Sequence, residues 1–253
     1  MNSKTKQLKE EILSLETVEE RLNHLKGTFK GKKAVILAPG SSLNEYNLAS
    51  LSDRDDIVIL AIKQAYDSIK GQADFHIVNT YNFDKYNGYD YEHLNTIIFY
   101  GLSKSYIPQQ MEKLAIKPHP CDIWVPVVNP PYIKYEECIH MGNWDKLLML
   151  QSTPETWWGT SILFEQAIPL ALLLGCSKIY TIGWDMTTGQ HSYNHKEVEF
   201  TPMSGEEQKT LDSVKGTKQL FDWCKNKNVE INIISKINKA DSRFKRLKLI
   251  SEI

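Results

Sequence analysis

At 253 residues, 42% hydrophobic and 24% charged, the chain carries enough apolar material for the core of one globular domain and too much for a disordered polypeptide. Its 30 Lys and Arg offset 31 Asp and Glu, a formal charge of −1, which excludes the overall basic field of a nucleic-acid binder. The four cysteines, Cys121, Cys138, Cys176 and Cys224, are widely separated with no Cys-x-x-Cys pair, so neither a zinc site nor a disulfide framework is indicated.

The opening MNSKTKQLKEE lacks the apolar stretch of a signal peptide, and no apolar run approaches the roughly 20 residues that span a bilayer. A reducing cytoplasm is the expected location. Residues 4–26 place Leu8, Ile12, Leu15, Val18, Leu22 and Leu25 at three- and four-residue steps, the pattern of one amphipathic helix, so residues 1–30 are expected as an amino-terminal helical unit. Packing on the main domain is the favoured reading of this helix; homo-oligomerisation or partner docking is the other.

From Lys33 the chain alternates apolar segments with helical stretches. Lys33 to Ala38, Ile57 to Ile62, Phe75 to Asn79, Thr96 to Tyr100, Ile123 to Val128, Lys178 to Gly183 and Glu230 to Ile234 read as strands. The Lys178 to Gly183 segment is apolar on both faces, as a parallel strand covered by helices requires. The expected fold is α/β, a doubly wound Rossmann-like parallel sheet with an added amino-terminal helix, and residues 31–235 are the expected main domain.

The first strand runs into Leu37-Ala-Pro-Gly-Ser-Ser-Leu43, where Gly40 permits a tight turn and Ser42 with Glu45 has the spacing of a helix capping box. Free amides and a positive dipole end there would suit a phosphate, which makes Pro39, Gly40, Ser41 and Ser42 candidate nucleotide-binding residues. Farther on, Trp124, Trp144, Trp157 and Trp158 share a region with Pro118, Pro120, Pro126, Pro130 and Pro131, the composition of an irregular lid or acceptor loop; burial as core anchors is the commoner use of tryptophan.

Thr160 and Ser161 stand at a turn before an apolar helix, Ile162 to Leu174. The strand after it empties into a loop rich in hydroxyls and imidazoles: Asp185, Thr187, Thr188, His191, Ser192, Tyr193 and His195. Ligands of doubly wound sheets collect beyond the carboxyl ends of strands, so these residues are placed for chemistry. An imidazole of near-neutral pKa suits a general base; His195 is preferred and His191 is second, with Glu206 or Glu207 as further bases. Asp185 equally suits the ordering of its own loop by accepting from backbone amides. At the carboxyl end, Lys236, Lys239, Arg243, Lys245, Arg246 and Lys248 interleave with Ile237, Phe244, Leu247 and Leu249, giving residues 236–253 the look of a basic tail, either lying on anionic lipid or forming a solvated terminal helix.

Two blocks carry a family likeness. Lys33-Ala-Val-Ile-Leu-Ala-Pro-Gly-Ser-Ser-Leu43, with Gly40, Ser42 and Leu43 in matching places, resembles the opening strand and G-N-G-P-S-L signature of the bacterial sialyltransferases of glycosyltransferase family 42. It also resembles the related group once called domain of unknown function 115, which includes archaeal hydroxymethylpterin pyrophosphokinases and flagellin-modifying factors. The segment from Gly159 through Gly175, Ile179 and Tyr180 to Gly183-Trp-Asp-Met-Thr-Thr-Gly-Gln-His-Ser-Tyr193 is similar to their strand, G-x-D and downstream S-Y. Asn79 fits a family asparagine that touches the donor, and Lys63 stands where an earlier one belongs.

The resemblance implies a GT-A-variant fold and transfer of an acidic sugar, sialic acid or similar, from a cytidine monophosphate (CMP) donor to a glycan hydroxyl without metal. It implies no cofactor beyond that donor substrate, and allows a peripheral contact with the inner membrane. It places Tyr193 on the donor phosphate, Thr187 at the position of a second phosphate tyrosine, and Ser161 with Thr160 against the donor. The family's own histidine base has no counterpart, since Thr201-Pro-Met-Ser-Gly-Glu-Glu-Gln208 occupies its distance. Two alternatives stand beside this reading. One is a pyrophosphokinase-type phosphotransferase using ATP and magnesium, for which Asp185 is the obvious ligand. The other is a non-catalytic nucleotide- or glycan-binding module.

Overall fold

The computed structural model describes residues 3–69, 72–79, 95–103, 122–127, 163–187 and 206–253. Eight strands form one sheet in the order β5-β4-β3-β2-β1-β6-β7-β8. They are β1 (Lys33–Leu37), β2 (Ile57–Ile62), β3 (Phe75–Asn79), β4 (Ile97–Ser103), β5 (Ile123–Val127), β6 (Lys178–Ile182), β7 (Glu230–Ile234) and β8 (Lys245–Leu247). Every pairing is parallel; Val35, for example, sits in register with Ile59 on one side and Tyr180 on the other.

The sequence explains why these segments are strands. β2 is Ile-Val-Ile-Leu-Ala-Ile and is buried at every residue, and branched side chains of this kind fill a pleated surface covered on both faces. One face carries Ala34, Ile36, Leu60, Phe75, Phe99 and Ile231 and is covered by helices α1 (Ser3–Leu13), α2 (Val18–Leu25), α3 (Leu163–Leu173) and α4 (Glu206–Asn226). The other carries Val35, Leu37, Ile59, Tyr180 and Ile182 beneath Leu43, Leu51, Ala65 and Ile69, which belong to short 3-10 turns.

Two expectations are corrected. The amino-terminal segment is two helices rather than one, because Thr17 caps α2: its hydroxyl accepts from the Glu20 amide at 3.2 Å while Glu20 Oε2 accepts from the Thr17 amide at 2.9 Å. Both helices are integral to the core through Leu8, Ile12, Leu22 and Leu25. They are also pinned by polar contacts. Thr5 donates to Asp74, Lys9 lies 3.1 Å from Asp122, and Arg21 donates to the Asp122 carbonyl at 2.8 Å.

The second correction concerns residues 236–253, which are neither a tail nor a terminal helix. They add β8 to the edge of the sheet, and Phe244 and Leu247 enter the core. Arg243 pairs with Asp222 and Asp241, and Arg246 donates to the carbonyls of Ala240 and Phe244 at 2.7 and 2.9 Å. These two cations thus fasten the edge strand, while Ile237 and Leu249 remain exposed.

The chain lays β2 to β5 outward on one side of β1, then returns to lay β6 to β8 on the other. The order reverses between β1 and β6. The carboxyl edge at such a switch point is the usual ligand position in doubly wound sheets.

Candidate functional site

The two segments singled out in the sequence meet at that switch point. Beyond the paired ends of β1 and β6, the Ala38 amide donates to the Ile182 carbonyl at 2.8 Å and the Gly40 amide to the Gly183 carbonyl at 2.9 Å. Two glycines make the approach close. A Cβ on Gly40 would run into the Gly183 carbonyl and lie 2.6 Å from Asp185 Oδ2. A Cβ on Gly183, whose φ is +75°, would run into the Ala38 carbonyl.

Asp185 is the hub of the contact and is only 2% exposed. Its Oδ2 accepts from the Ser42 amide at 2.9 Å; its Oδ1 accepts from the Ser42 hydroxyl and, at 2.7 Å, from the Ser235 hydroxyl just past β7. A buried carboxylate requires such donors, and here they come from the exits of two other strands. Asn238 adds a further tie by donating to the Trp184 carbonyl, and the Lys239 amide donates to the Asp185 carbonyl at 3.2 Å.

This arrangement replaces the capping box expected of Ser42 and Glu45. Residues Ser41–Glu45 form a 3-10 turn with no side-chain cap, Ser42 is committed to Asp185, and Glu45 pairs with Lys236 at 3.0 Å. The amides of Gly40, Ser42 and Leu43 all have intramolecular acceptors, the last in the Gly40 carbonyl at 3.1 Å. These three amides therefore do not form the row of free donors expected from the sequence.

The other predicted residues divide into two sets. Pro39 and Ser41 belong to the bend, Lys63 follows β2 directly, Asn79 is the last residue of β3, and Thr187 lies two residues past Asp185. The carboxyl edge thus gathers all of these on one side of the sheet. Thr160, Ser161, His191, Tyr193 and His195 lie outside the described residues, as do Trp144, Trp157 and Trp158. Lys63, with φ +50°, and Met186, with φ +57°, sit at the same edge in a region that non-glycine residues rarely occupy; Asn228, with φ +55°, does so just before β7. Thr187 Oγ1 is buried without a hydrogen-bond partner among the described residues.

Burial shifts the titration of several groups, some of them away from this edge. His76, inside β3, stacks on Tyr66 at 4.3 Å between ring centroids and its Nε2 lies 2.9 Å from the Lys63 carbonyl. Burial pushes its pKa down to about 4, so the ring is neutral and donates to that carbonyl. Burial likewise raises the Tyr46 hydroxyl above its usual range, with Glu45 adding to the shift, and pushes the Cys176 and Cys224 thiols up to about 12. Those two thiols are inert at neutral pH. No group of three or more metal-ligating side chains occurs among the described residues.

Sequence reasoning missed three groups here. Ser235 and Asn238 act on the β6 exit from the far side of β7, and their only sequence signal was polarity just past a strand. Gln166, buried in the first turn of α3, showed itself only as an amide within Leu-Phe-Glu-Gln-Ala-Ile-Pro-Leu.

No protein-family model matches the sequence, and no curated protein does. Among solved structures the chain is similar to the MAf glycosyltransferase from Magnetospirillum magneticum AMB-1, with a TM-score of 0.52 and 11% sequence identity over 92% of this chain. The match spans 39% of that structure's chain, so this protein corresponds to about two-fifths of it. At this identity the likeness establishes the α/β, Rossmann-like fold. No helix among the described residues is long and apolar enough to cross a membrane.

Proposed function

We propose that this protein is a glycosyltransferase that moves an acidic sugar, sialic acid or similar, from a CMP-activated donor to a hydroxyl of a glycan acceptor, without metal. The observation that carries the proposal is the convergence of the Pro39–Ser42 bend with Gly183–Asp185 at the switch point, because these are the segments that resemble the family's donor-binding blocks. The Rossmann-like fold shared with a solved glycosyltransferase supports it.

In the proposed reaction the acceptor oxygen attacks the anomeric carbon of the donor. The bond from that carbon to the phosphate oxygen breaks, CMP leaves with the electron pair, and the acceptor proton passes to a base. His195 is the proposed base and His191 the second choice. The leaving group is one phosphate, whose growing charge hydroxyl donors can meet; Tyr193 and Thr187 are the proposed donors. Lys63, Asn79, Thr160 and Ser161 are proposed to contact nucleotide and sugar.

The pyrophosphokinase alternative is less well supported. Asp185, its obvious magnesium ligand, has both oxygens engaged by Ser42 and Ser235.

The test is release of CMP from CMP-N-acetylneuraminate in the presence of a chelator, with lactose as a trial acceptor. The proposal expects slow release onto water without acceptor and unchanged release with chelator. ATP consumption that stops on chelation would replace it with the phosphotransferase reading, and binding without turnover would replace it with a binding module.

A further inference from the structure

Gln166 is fully buried in the first turn of α3, at 0% exposure, and neither Nε2 nor Oε1 of its carboxamide has a hydrogen-bond partner among the described residues. Beside it, near the carboxyl end of β4, lies Gly101, in register with Asn79 of β3. A Cβ at position 101 would run into Gln166 Nε2 and lie 3.0 Å from Cδ and 3.1 Å from Oε1. Glycine is thus what leaves room for the amide. Leaving both ends of a buried amide unpaired costs stability that a leucine or methionine in the same helix would not cost. α3 leads into the start of β6, so its first turn opens on the carboxyl edge of the sheet, the edge that carries Gly40, Asp185 and Lys63.

We propose that Gln166 is a ligand-recognition residue whose carboxamide donates to and accepts from a neutral donor–acceptor pair at one end of the bound nucleotide sugar. This rests on the CMP-sugar reading above. The matching group is either the hydrogen-bonding edge of the base or an acylamino substituent of the sugar. The base edge presents a donor next to an acceptor, the complement of a carboxamide; the acylamino group presents its N–H and C=O on opposite sides, and either one pairs with one end of the carboxamide. An ion is the poorer match, since it would lose its hydration and gain only a dipole. The subsite is three strands from β1, about 14 Å at ordinary strand spacing, so it meets an end of the ligand rather than its phosphate. Because the amide is fully buried, the group that meets it is buried as well, which makes the contact discriminating: a ligand lacking the pair leaves the amide unpaired in the complex.

The test uses Gln166→Met, which removes both polar ends at nearly constant volume, and Gly101→Ala, which displaces the flexible end of the amide. Thermal midpoints are measured alone and in titrations with CMP and with CMP-N-acetylneuraminate. Gln166→Met is expected to raise the ligand-free midpoint by a few degrees while weakening ligand binding tenfold or more. Gly101→Ala is expected to weaken binding in the same way. If CMP alone is weakened, the group read is the base edge; if only the intact donor is weakened, it is the sugar. Binding of both ligands within twofold of wild type in Gln166→Met would overturn the proposal. If wild type responds to neither ligand, the CMP reading fails separately, and the ligand-free midpoint decides on Gln166: a rise in Gln166→Met supports an amide held for a ligand of another class, and a fall overturns it.

Discussion

Ser42 grips Asp185 twice, its backbone amide donating to Oδ2 at 2.9 Å and its hydroxyl to Oδ1. These two residues are 143 positions apart in the chain and leave different strands, so the contact fixes the turn after β1 against the exit of β6. The carboxyl edge at the switch point is therefore a tied structure, with Ser235 as a third anchor at 2.7 Å.

Replacing Asp185 with Ala should free all three donors at once. Hydrogen bonds to a buried carboxylate contribute about 1.5–3 kcal/mol. Denaturant unfolding of Asp185→Ala is expected to show a loss of roughly 3 kcal/mol together with loss of nucleotide binding. Asp185→Ala with wild-type stability would show that the hub is not a structural tie.

Gly40→Ala and Gly183→Ala each push a methyl group against a backbone carbonyl, and at Gly40 also against the hydrogen-bonded Asp185 carboxylate. Overpacking of this kind costs about 1–3 kcal/mol, and at Gly183 the φ of +75° adds the penalty of a left-handed alanine. Both variants should unfold at lower denaturant than wild type, Gly183→Ala at the lowest. Equal midpoints for the two would leave the left-handed backbone without energetic weight.

His76 makes stability fall in mild acid. Its folded pKa of about 4 lies below the unfolded value of 6.5, so the unfolded chain takes up the proton first. The contribution is complete above pH 6.5 and is lost as pH drops from there toward 4, at about 1.4 kcal/mol per pH unit for a single group. His76→Gln should flatten the pH dependence of unfolding between pH 6.5 and 4.5 by about 2 kcal/mol. An unchanged slope would mean that the ring takes up its proton at the same pH folded and unfolded.

Lys9 neutralises a carboxylate that burial holds above its usual pKa, that of Asp122, which also accepts from the Ile98 amide at 2.7 Å. Lys9→Met leaves that charge without its ion-pair partner, with Arg21 as the remaining nearby cation, a loss that costs about 3 kcal/mol in a buried pair. A carboxyl whose folded pKa is raised is favoured below its unfolded pKa, near 3.8, and its contribution is lost as pH rises through the folded value. The destabilisation should therefore be larger at pH 7 than at pH 4. A uniform loss at both values would point to lost packing instead.

Seven of the eight strands were legible in the sequence because burial on both faces leaves an unbroken apolar run, as in β2. β8, with Lys245 and Arg246 exposed, carries no such run; its strand character comes from pairing with β7. The break between α1 and α2 had its signal in Thr17 and Glu20, but the heptad-like leucines on both sides read through it. Ser42 and Glu45 had the same spacing and formed no cap, because Asp185 and Lys236 were better partners and both are distant in sequence. Local patterns thus located the Gly40 and Gly183 blocks, whereas the partners that lock them, Ser235 and Asn238, are set by the strand order alone.

The most direct measurement of the central claim is calorimetric titration of the wild-type protein with CMP, UMP, GMP and AMP in the presence of a chelator. CMP is expected to bind, and the other three at least tenfold more weakly. Absence of CMP binding, or a preference for AMP that appears only when magnesium is restored, would contradict that claim.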